Sequence, residues 1–366
     1  MHMKYREEAD YRQAMDELCF SQVAKARMTR NLRQSLAQQA EPGPARRTHW
    51  KPRIAAVAVA AALVLAVGAG ATGGLKTVAQ AFAGVFGPTA DTQVMDQIGY
   101  PIGASDTDNG VTVTAEAILF DGYNYLMTYS IAREDGTAFS VEEIPQGEGR
   151  LNLTWDSADS TIGRNTTGAH GSSYFYDADP SDNAIQFVEE CEVDGNLPAG
   201  GAVKAVFRNL YTYPNGDYEN RRLLAEGKWV LKFDLDFEDT SVALRAGQTT
   251  TLNDMPITIN AVTLSPLALR VDYTVGSAVQ WEDAPSGRET AYNRGQSDRY
   301  LSDLTVLLAM KDGTVMDLTG AGGSLSPNYS EDVTEAQKGQ VFDTIIDPAD
   351  VESITVGGIV IPVDVS

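Results

Sequence analysis

Hydrophobic and polar residues alternate most cleanly in "KWVLKFDLDF". There Trp229, Leu231, Phe233, Leu235 and Phe237 share one face, and Lys228, Lys232, Asp234 and Asp236 share the other. A period of two predicts a strand with one face buried and one in water. "ITINAVTLSPLALRVDYTV" repeats the pattern, with Leu267, Leu269, Val271, Tyr273 and Val275 inward and Ser265-Pro266 breaking the run into two strands. Asp121-Gly122 separates "TVTAEAILF" from "YNYLMTYSI" and predicts a hairpin, because Gly accepts the positive φ of a tight turn. "YSIAREDGTAF" and "LLAMKDGTVM" each read as a strand, an Asp-Gly-Thr turn and a returning strand, which places a sheet in each half of the chain. Few helical patterns intervene after residue 98, so the expectation is a mainly β region of two antiparallel β-sandwich-like domains, 99–245 and 246–366. The boundary between them is expected between Thr240 and Thr250, where "TSVALRAGQTT" relaxes the alternation.

A different pattern precedes these strands. Ile54 to Leu75 is a run of 22 residues without a charge. At about 1.5 Å per residue it reaches roughly 33 Å as a helix, enough for a bilayer core of about 30 Å. The run predicts a single transmembrane helix over 54–75. A cleaved signal peptide is the competing account, since small-residue sites such as Ala69-Gly70-Ala71 follow, but the long stretch before the apolar run exceeds the usual length of such peptides. Arg46, Arg47, Lys51 and Arg53 stand just before the run against a lone Lys76 after it, which predicts a cytoplasmic N-terminus and an extracellular C-terminal region of a cell-membrane protein. Trp50 sits where an indole anchors at the inner headgroup layer, so Arg46, Arg47, Trp50, Lys51 and Arg53 are the expected membrane-interface residues. Residues 76–98, opening with "KTVAQAFAGVFG", form a juxtamembrane segment expected to begin as a helix.

Residues 1–53 carry a helical period. Tyr5 to Leu18 and Ser21 to Ala40 read as two short helices, the second with Ser21 as N-cap. Tyr11, Met15 and Leu18 make a short apolar stripe on the first, and Ala24, Met28, Leu32 and Leu36 make a longer one on the second. Three readings compete. The stripes cover each other as a hairpin, or they dock a cytoplasmic partner helix, or the second helix, with Lys25, Arg27, Arg30 and Arg33, lies on the anionic inner leaflet. Glu41-Pro42-Gly43-Pro44 ends the helical region.

Composition sharpens the division. The net charge of −22 splits into 11 Lys/Arg against 6 Asp/Glu in residues 1–53 and 17 against 44 beyond. That acidity argues against nucleic-acid binding by the larger part, which a phosphate backbone would repel. If the apolar run spans a membrane, Cys19 and Cys191 lie in different compartments and no intramolecular disulfide forms between them. Candidate chemistry is thin. His170 falls in "TTGAHGSSY", a Gly/Ser-rich stretch read as a solvated loop. "DADPSDN" clusters oxygen ligands, but an EF-hand loop needs Gly at its sixth position and Glu at its twelfth, where this chain has Asp182 and Val188. Cys19 has no CxxC partner for zinc. No enzyme, cofactor or metal is predicted, and an extracellular ligand is not identified.

The segments "GYPIGASDTDNGVTVTAEAILFDGYNYLMTYSI", "GKWVLKFDLDFEDTS" and "ITINAVTLSPLALRVDYTV" together resemble a family. It is that of single-pass membrane proteins of Gram-positive Firmicutes with an extracellular domain of unknown function, several described as anti-sigma factors. The "PIGASDT" segment with its following hairpin is the most specific part of the resemblance. It implies a cytoplasmic segment that sequesters an extracytoplasmic-function sigma factor and an exported sensor region that controls its release. The chain lacks the His-x-x-x-Cys-x-x-Cys signature of zinc anti-sigma domains, so docking would rest on Tyr11, Met15, Leu18, Met28, Leu32 and Leu36. The alternative is a surface structural or adhesion module without regulatory role.

Overall fold

A computed structural model describes residues 75–364, apart from 88–91, 146, 148, 163–167, 195–196, 198–199, 237–238 and 285–288. It is mainly β, and every strand pairing among the described residues is antiparallel. The chain divides into two compact units, one ending at Glu238 and a second running from Asp239 to Ser366. Among the described residues no helix is long and apolar enough to cross a membrane. All but Leu75 of the apolar run lies outside them.

The first unit opens with two short helices, α1 (Val78–Phe86) and α2 (Thr92–Ile98). Thr77 starts α1 through a capping box, its hydroxyl accepting from Gln80 N while the Gln80 side chain accepts from Thr77 N. Eight strands follow: β1 (Gly99–Asp108), β2 (Val111–Phe120), β3 (Asn124–Arg133), β4 (Leu153–Ser160), β5 (Gly168–Tyr176), β6 (Ala184–Asp194), β7 (Gly200–Thr212) and β8 (Arg222–Asp236). They form a five-stranded sheet in the order β1-β2-β3-β6-β5 and a three-stranded sheet β4-β7-β8. The two sheets share one buried core, because alternation on each turns one row of apolar side chains toward the other. From the larger sheet come Val113, Ile118, Phe120, Met127, Ile131 and Phe187, and from the smaller one Trp155, Phe207, Trp229 and Leu231. At its centre the Tyr129 ring meets Phe207 edge-on at 4.9 Å between centroids, and Trp155 lies 5.7 Å from Trp229. Trp229, fully buried, donates its indole N–H to the Val111 carbonyl at 2.8 Å.

The β2–β3 hairpin has Gly122 and Tyr123 as its two central residues, so Asp121 flanks the turn rather than occupying it. Gly122 takes φ +90° at the first central position, where a II′ turn places glycine. The Asp121 carboxylate accepts from Asn124 N at 2.7 Å and Tyr123 N at 3.1 Å.

One expected strand does not form. After the turn at Gly136 the chain beyond Arg133 runs as an irregular segment instead of returning along β3. The cause is occupancy: β3 pairs with β2 along one edge and with β6 from Asn124 to Ala132 along the other, leaving no edge free. Arg133 instead lies over the Phe139 ring at 4.4 Å. The matching stretch "LLAMKDGTVM" does form a hairpin.

The second unit carries β9 (Val242–Ala243), β10 (Thr249–Leu252), β11 (Met255–Leu264), β12 (Ala268–Val275), the helix α3 (Ala291–Ser297), β13 (Val306–Met310), β14 (Val315–Asp317), β15 (Gly322–Asn328), β16 (Val333–Val341), β17 (Val351–Val356) and β18 (Ile359–Pro362). One sheet runs β10-β11-β12-β16-β15 with β9 also on β11, and the other runs β14-β13-β17-β18. Leu269, Val271, Tyr273 and Val275 of β12 join Val306, Leu308, Val351 and Ile354 in a second core.

Candidate functional site

β2 and β3, inside sheet β1-β2-β3-β6-β5, are buried on both faces, which one-sided alternation does not require. The row opposite the core includes Ala117, Leu119, Leu126, Thr128 and Val188, none more than 3% exposed. α1 and α2 lie on this face. Val78, Phe82, Val94, Met95 and Ile98 are all buried, and both helices contact β1 and β2. Two glycines mark close contacts of this strap. A Cβ at Gly99, at the start of β1, would meet Val78 Cγ1, Met95 O at 2.6 Å and Leu119 Cδ2 at 2.9 Å. A Cβ at Gly84 would lie 2.5 Å from the Tyr176 ring on β5, the opposite edge strand. The helix thus packs on β1 and β2, and near its end Gly84 lies against the Tyr176 side chain.

Where the chain enters this strap, the Lys76 ammonium stands 3.1 Å from the Glu116 carboxylate. Glu116 is the extra residue of a bulge between Ala115 and Ala117 of β2, and it is 8% exposed. The bulge shifts the side-chain phase, so Val113 and Ala115 face the core before it and Ile118 and Phe120 after it. Burial, followed by the charges of Tyr174 and Glu116, pushes the Tyr176 hydroxyl up to about 12.

A second polar cluster sits on the core face. Glu189 of β6 occupies the same phase as Ile185, Phe187 and Val193, and its carboxylate accepts from the Tyr125 hydroxyl at 2.8 Å and the Tyr129 hydroxyl at 3.2 Å. Burial raises the Glu189 carboxyl above the usual range, opposed by the two hydroxyl hydrogen bonds that favour its charged form. Both tyrosines are shifted upward, first by burial and then by the Glu189 charge. The neighbouring Cys191 thiol is also raised, chiefly by burial. A thiol so shifted is a poor nucleophile. The cluster satisfies buried hydroxyls and assembles no base-activated nucleophile.

The segment "SDTDNG" is architectural. Asp106 accepts from Val230 N at 2.7 Å and Asp108 from Lys228 N at 2.9 Å, while Asn109 donates to the Glu226 carbonyl at 3.2 Å. Side chains at the end of β1 thus stand in for a neighbouring strand along β8, joining the two sheets at one edge. No local sequence signal marks this, because the partners are more than a hundred residues away.

In the second unit Lys338 of β16 is 1% exposed and donates to the carbonyls of Leu301 and Thr319. Burial brings its ammonium down to about 8, against Asp303 and Asp317, which raise it.

His170 lies in β5, in register with Glu192, and not in a loop. Gly and Ser are weak strand formers, but pairing with β6 overrides propensity here. Gly171 is required because a Cβ there would collide with the Glu190 carbonyl oxygen. The acids of "DADPSDN" turn the chain from β5 to β6: Asp177 accepts from Asp179 N, Asp179 from Ser181 and Asp182 from Ala184 N. Among the described residues no group of His, Cys, Asp and Glu is arranged to hold a metal. The expected partner-binding residues Tyr11, Met15, Leu18, Met28, Leu32 and Leu36, and the interface residues Arg46, Arg47, Trp50, Lys51 and Arg53, lie outside the described residues.

Residues 46–133 match a family model, DUF4179, a domain of unknown function. The match begins at Arg46 in the basic flank and ends at Arg133, the last residue of β3. A solved structure described as the conserved domain protein from Bacillus anthracis is similar over 71% of this chain and 76% of that chain, at 14% identity and a TM-score of 0.44. No curated protein matches the chain.

Proposed function

We propose that this chain is a single-pass membrane regulator resembling an anti-sigma factor. Its cytoplasmic helices would bind an extracytoplasmic-function sigma factor, and two sandwich-like units on the outside would form the sensor region. One observation carries the reading. A single family model runs from the basic flank through the apolar run and the helix strap into the β2–β3 hairpin, which supports treating them as one module. A module that joins a basic tail to a folded sheet through an apolar segment suits transfer of a state across a bilayer. The buried polar clusters are engaged in holding the core rather than in chemistry, so binding and regulation fit the described residues better than catalysis.

The test is an in-cell cross-link from residues 1–53 with partners identified by mass spectrometry, repeated with Met28→Asp and Leu32→Asp. Recovery of a sigma factor that the double variant loses is the expected result. Capture unchanged by both substitutions discards the named face. Normal function of a chain without residues 1–53 favours the structural module instead. Protease added to intact cells should spare those residues and reach the acidic units; the reverse pattern overturns the topology.

A further inference from the structure

The strap is the chain's route from the apolar run into the first unit, and it also covers the outer apolar face of that unit's larger sheet. Six apolar side chains (Val78, Ala81, Phe82, Val94, Met95 and Ile98) are buried by docking, and their removal from water is the gain that holds the strap down. Against it stands the backbone entropy lost in ordering the helical residues, nine in α1 and seven in α2. The strand pairing does not run through the strap: β2 and β3 are paired along their full length, and their other row lies in the core with Trp155, Phe207 and Trp229. The entry point is held by one ion pair, Lys76–Glu116, whose acidic partner is aimed by the β2 bulge.

We infer that the α1–α2 strap is the coupling element of this protein, docked on the outer face of sheet β1-β2-β3-β6-β5 in one state and lifted from it in another. Docking fixes where the chain leaves the sheet at Lys76, and lifting frees it. This rests on the membrane-regulator reading, in which a change at Lys76 reaches the tail through the apolar run. Tyr176 and Glu116 are the contacts on the sheet that oppose lifting at the two ends of α1.

The test uses the full-length chain in cells and two independent lifts. Gly84→Val drives a side chain into the Tyr176 ring, and Lys76→Glu sets two carboxylates at the entry point while leaving the core untouched. Hydrogen exchange on the purified full chain should show loss of protection in residues 78–86, with β2 and β3 still protected. The cellular readout needs no named partner: deletion of residues 1–53 defines the transcripts that depend on the tail. Both lifting variants should shift that same set of transcripts, and Lys76→Glu combined with Glu116→Lys should restore protection and transcript levels. If α1 stays protected in both variants, the named contacts do not hold it and the inference fails. If α1 is exposed but the tail-dependent transcripts do not move, coupling through the strap is overturned while the regulator reading stands. If deletion of the tail shifts no transcripts, the regulator reading falls, and the inference falls with it.

Discussion

Replacing Glu189 separates two roles that a partly buried carboxylate combines. Tyr125 is 3% exposed and Tyr129 fully buried, and their hydroxyls donate to Glu189 at 2.8 and 3.2 Å. Glu189→Ala removes both acceptors at once. A buried donor left without a partner costs about 1–3 kcal/mol, and Tyr129 retains only the weak Met127 sulfur at 3.1 Å and Tyr125 only the Cys191 sulfur, so the two hydroxyls together cost up to roughly 2–6 kcal/mol. Relief from burying a charge offsets part of this, and a net loss of about 2–4 kcal/mol is expected. Glu189→Gln keeps an acceptor for Tyr125 and offers an N–H to the Tyr129 oxygen, whose proton can then turn to Met127. It should be neutral or stabilising at pH 7, because the charge is gone and the hydroxyls remain engaged. The pH dependence fixes the sign. Burial raises the folded-state carboxyl above its ordinary 4.5, so its favourable contribution is fully present below that value and is lost as pH rises through the folded pKa. Any advantage of Glu189→Gln should therefore shrink as the pH is lowered through the raised folded value to about 4.5, and change no further below it. Urea unfolding of the purified chain, followed by tryptophan fluorescence, reads this unit through Trp155 and Trp229, which lie in the same core. The Ala variant should shift the midpoint by on the order of 1 M. Equal loss in the Gln and Ala variants would refute the acceptor role, because the defect would then lie in the charge or the packing.

Asp106→Ala should destabilise the first unit by about 1–3 kcal/mol, since the Val230 N–H it serves is partly buried, while Asp108→Ala, acting at the exposed Lys228 N–H, should cost less; unfolding midpoints of the two variants check the order. Lys338→Met should remove a pH dependence from the second unit. With the ammonium at about 8 when folded and an ordinary 10.5 when unfolded, the unfolded chain binds more protons between those values, so stability should rise with pH across that window in the natural chain and not through this group in the variant. Thermal unfolding at pH 8 and pH 10 measures the difference, and equal slopes would remove Lys338 as its source. Gly171→Ala should weaken the β5–β6 pairing, read as faster amide exchange in residues 168–176, because its Cβ has no room beside the Glu190 carbonyl.

The strands with clean alternation were legible because one face meets a core and the other meets water. β8 buries Trp229, Leu231 and Leu235, and β12 buries Leu269, Val271, Tyr273 and Val275, in the phase the residues prescribe. The Gly/Ser-rich β5 was not legible, since its pairing comes from β6 and not from its own propensity. Nor was the missing return strand after Gly136, because the edge it needed is taken by β6, more than fifty residues ahead in the chain. Glu189 left a usable trace: in "AIQFVEECEVD" it stands at an apolar phase position beside Phe187 and Cys191, and an acid there announces a buried partner. Asp106, Asp108 and Lys338 left none, because their partners are set by tertiary structure alone.

The helix strap changes where the first unit begins. From the residues, 76–98 reads as a segment between membrane and domain, and 99 as the start of the fold. Yet Ala117, Leu119, Leu126 and Val188 form an apolar face that a sheet starting at Gly99 would leave in water. An exposed apolar sheet face of that kind invites association, so a fold that meets water must cover it. The cover comes from the stretch of chain that also has to reach the apolar run, and this double duty is the physical reason to look for coupling there. A connector that touched nothing could swing without consequence for the sheet. One that supplies part of the sheet's burial cannot move without changing the free energy of the unit, and by reciprocity the state of the unit biases where the connector lies.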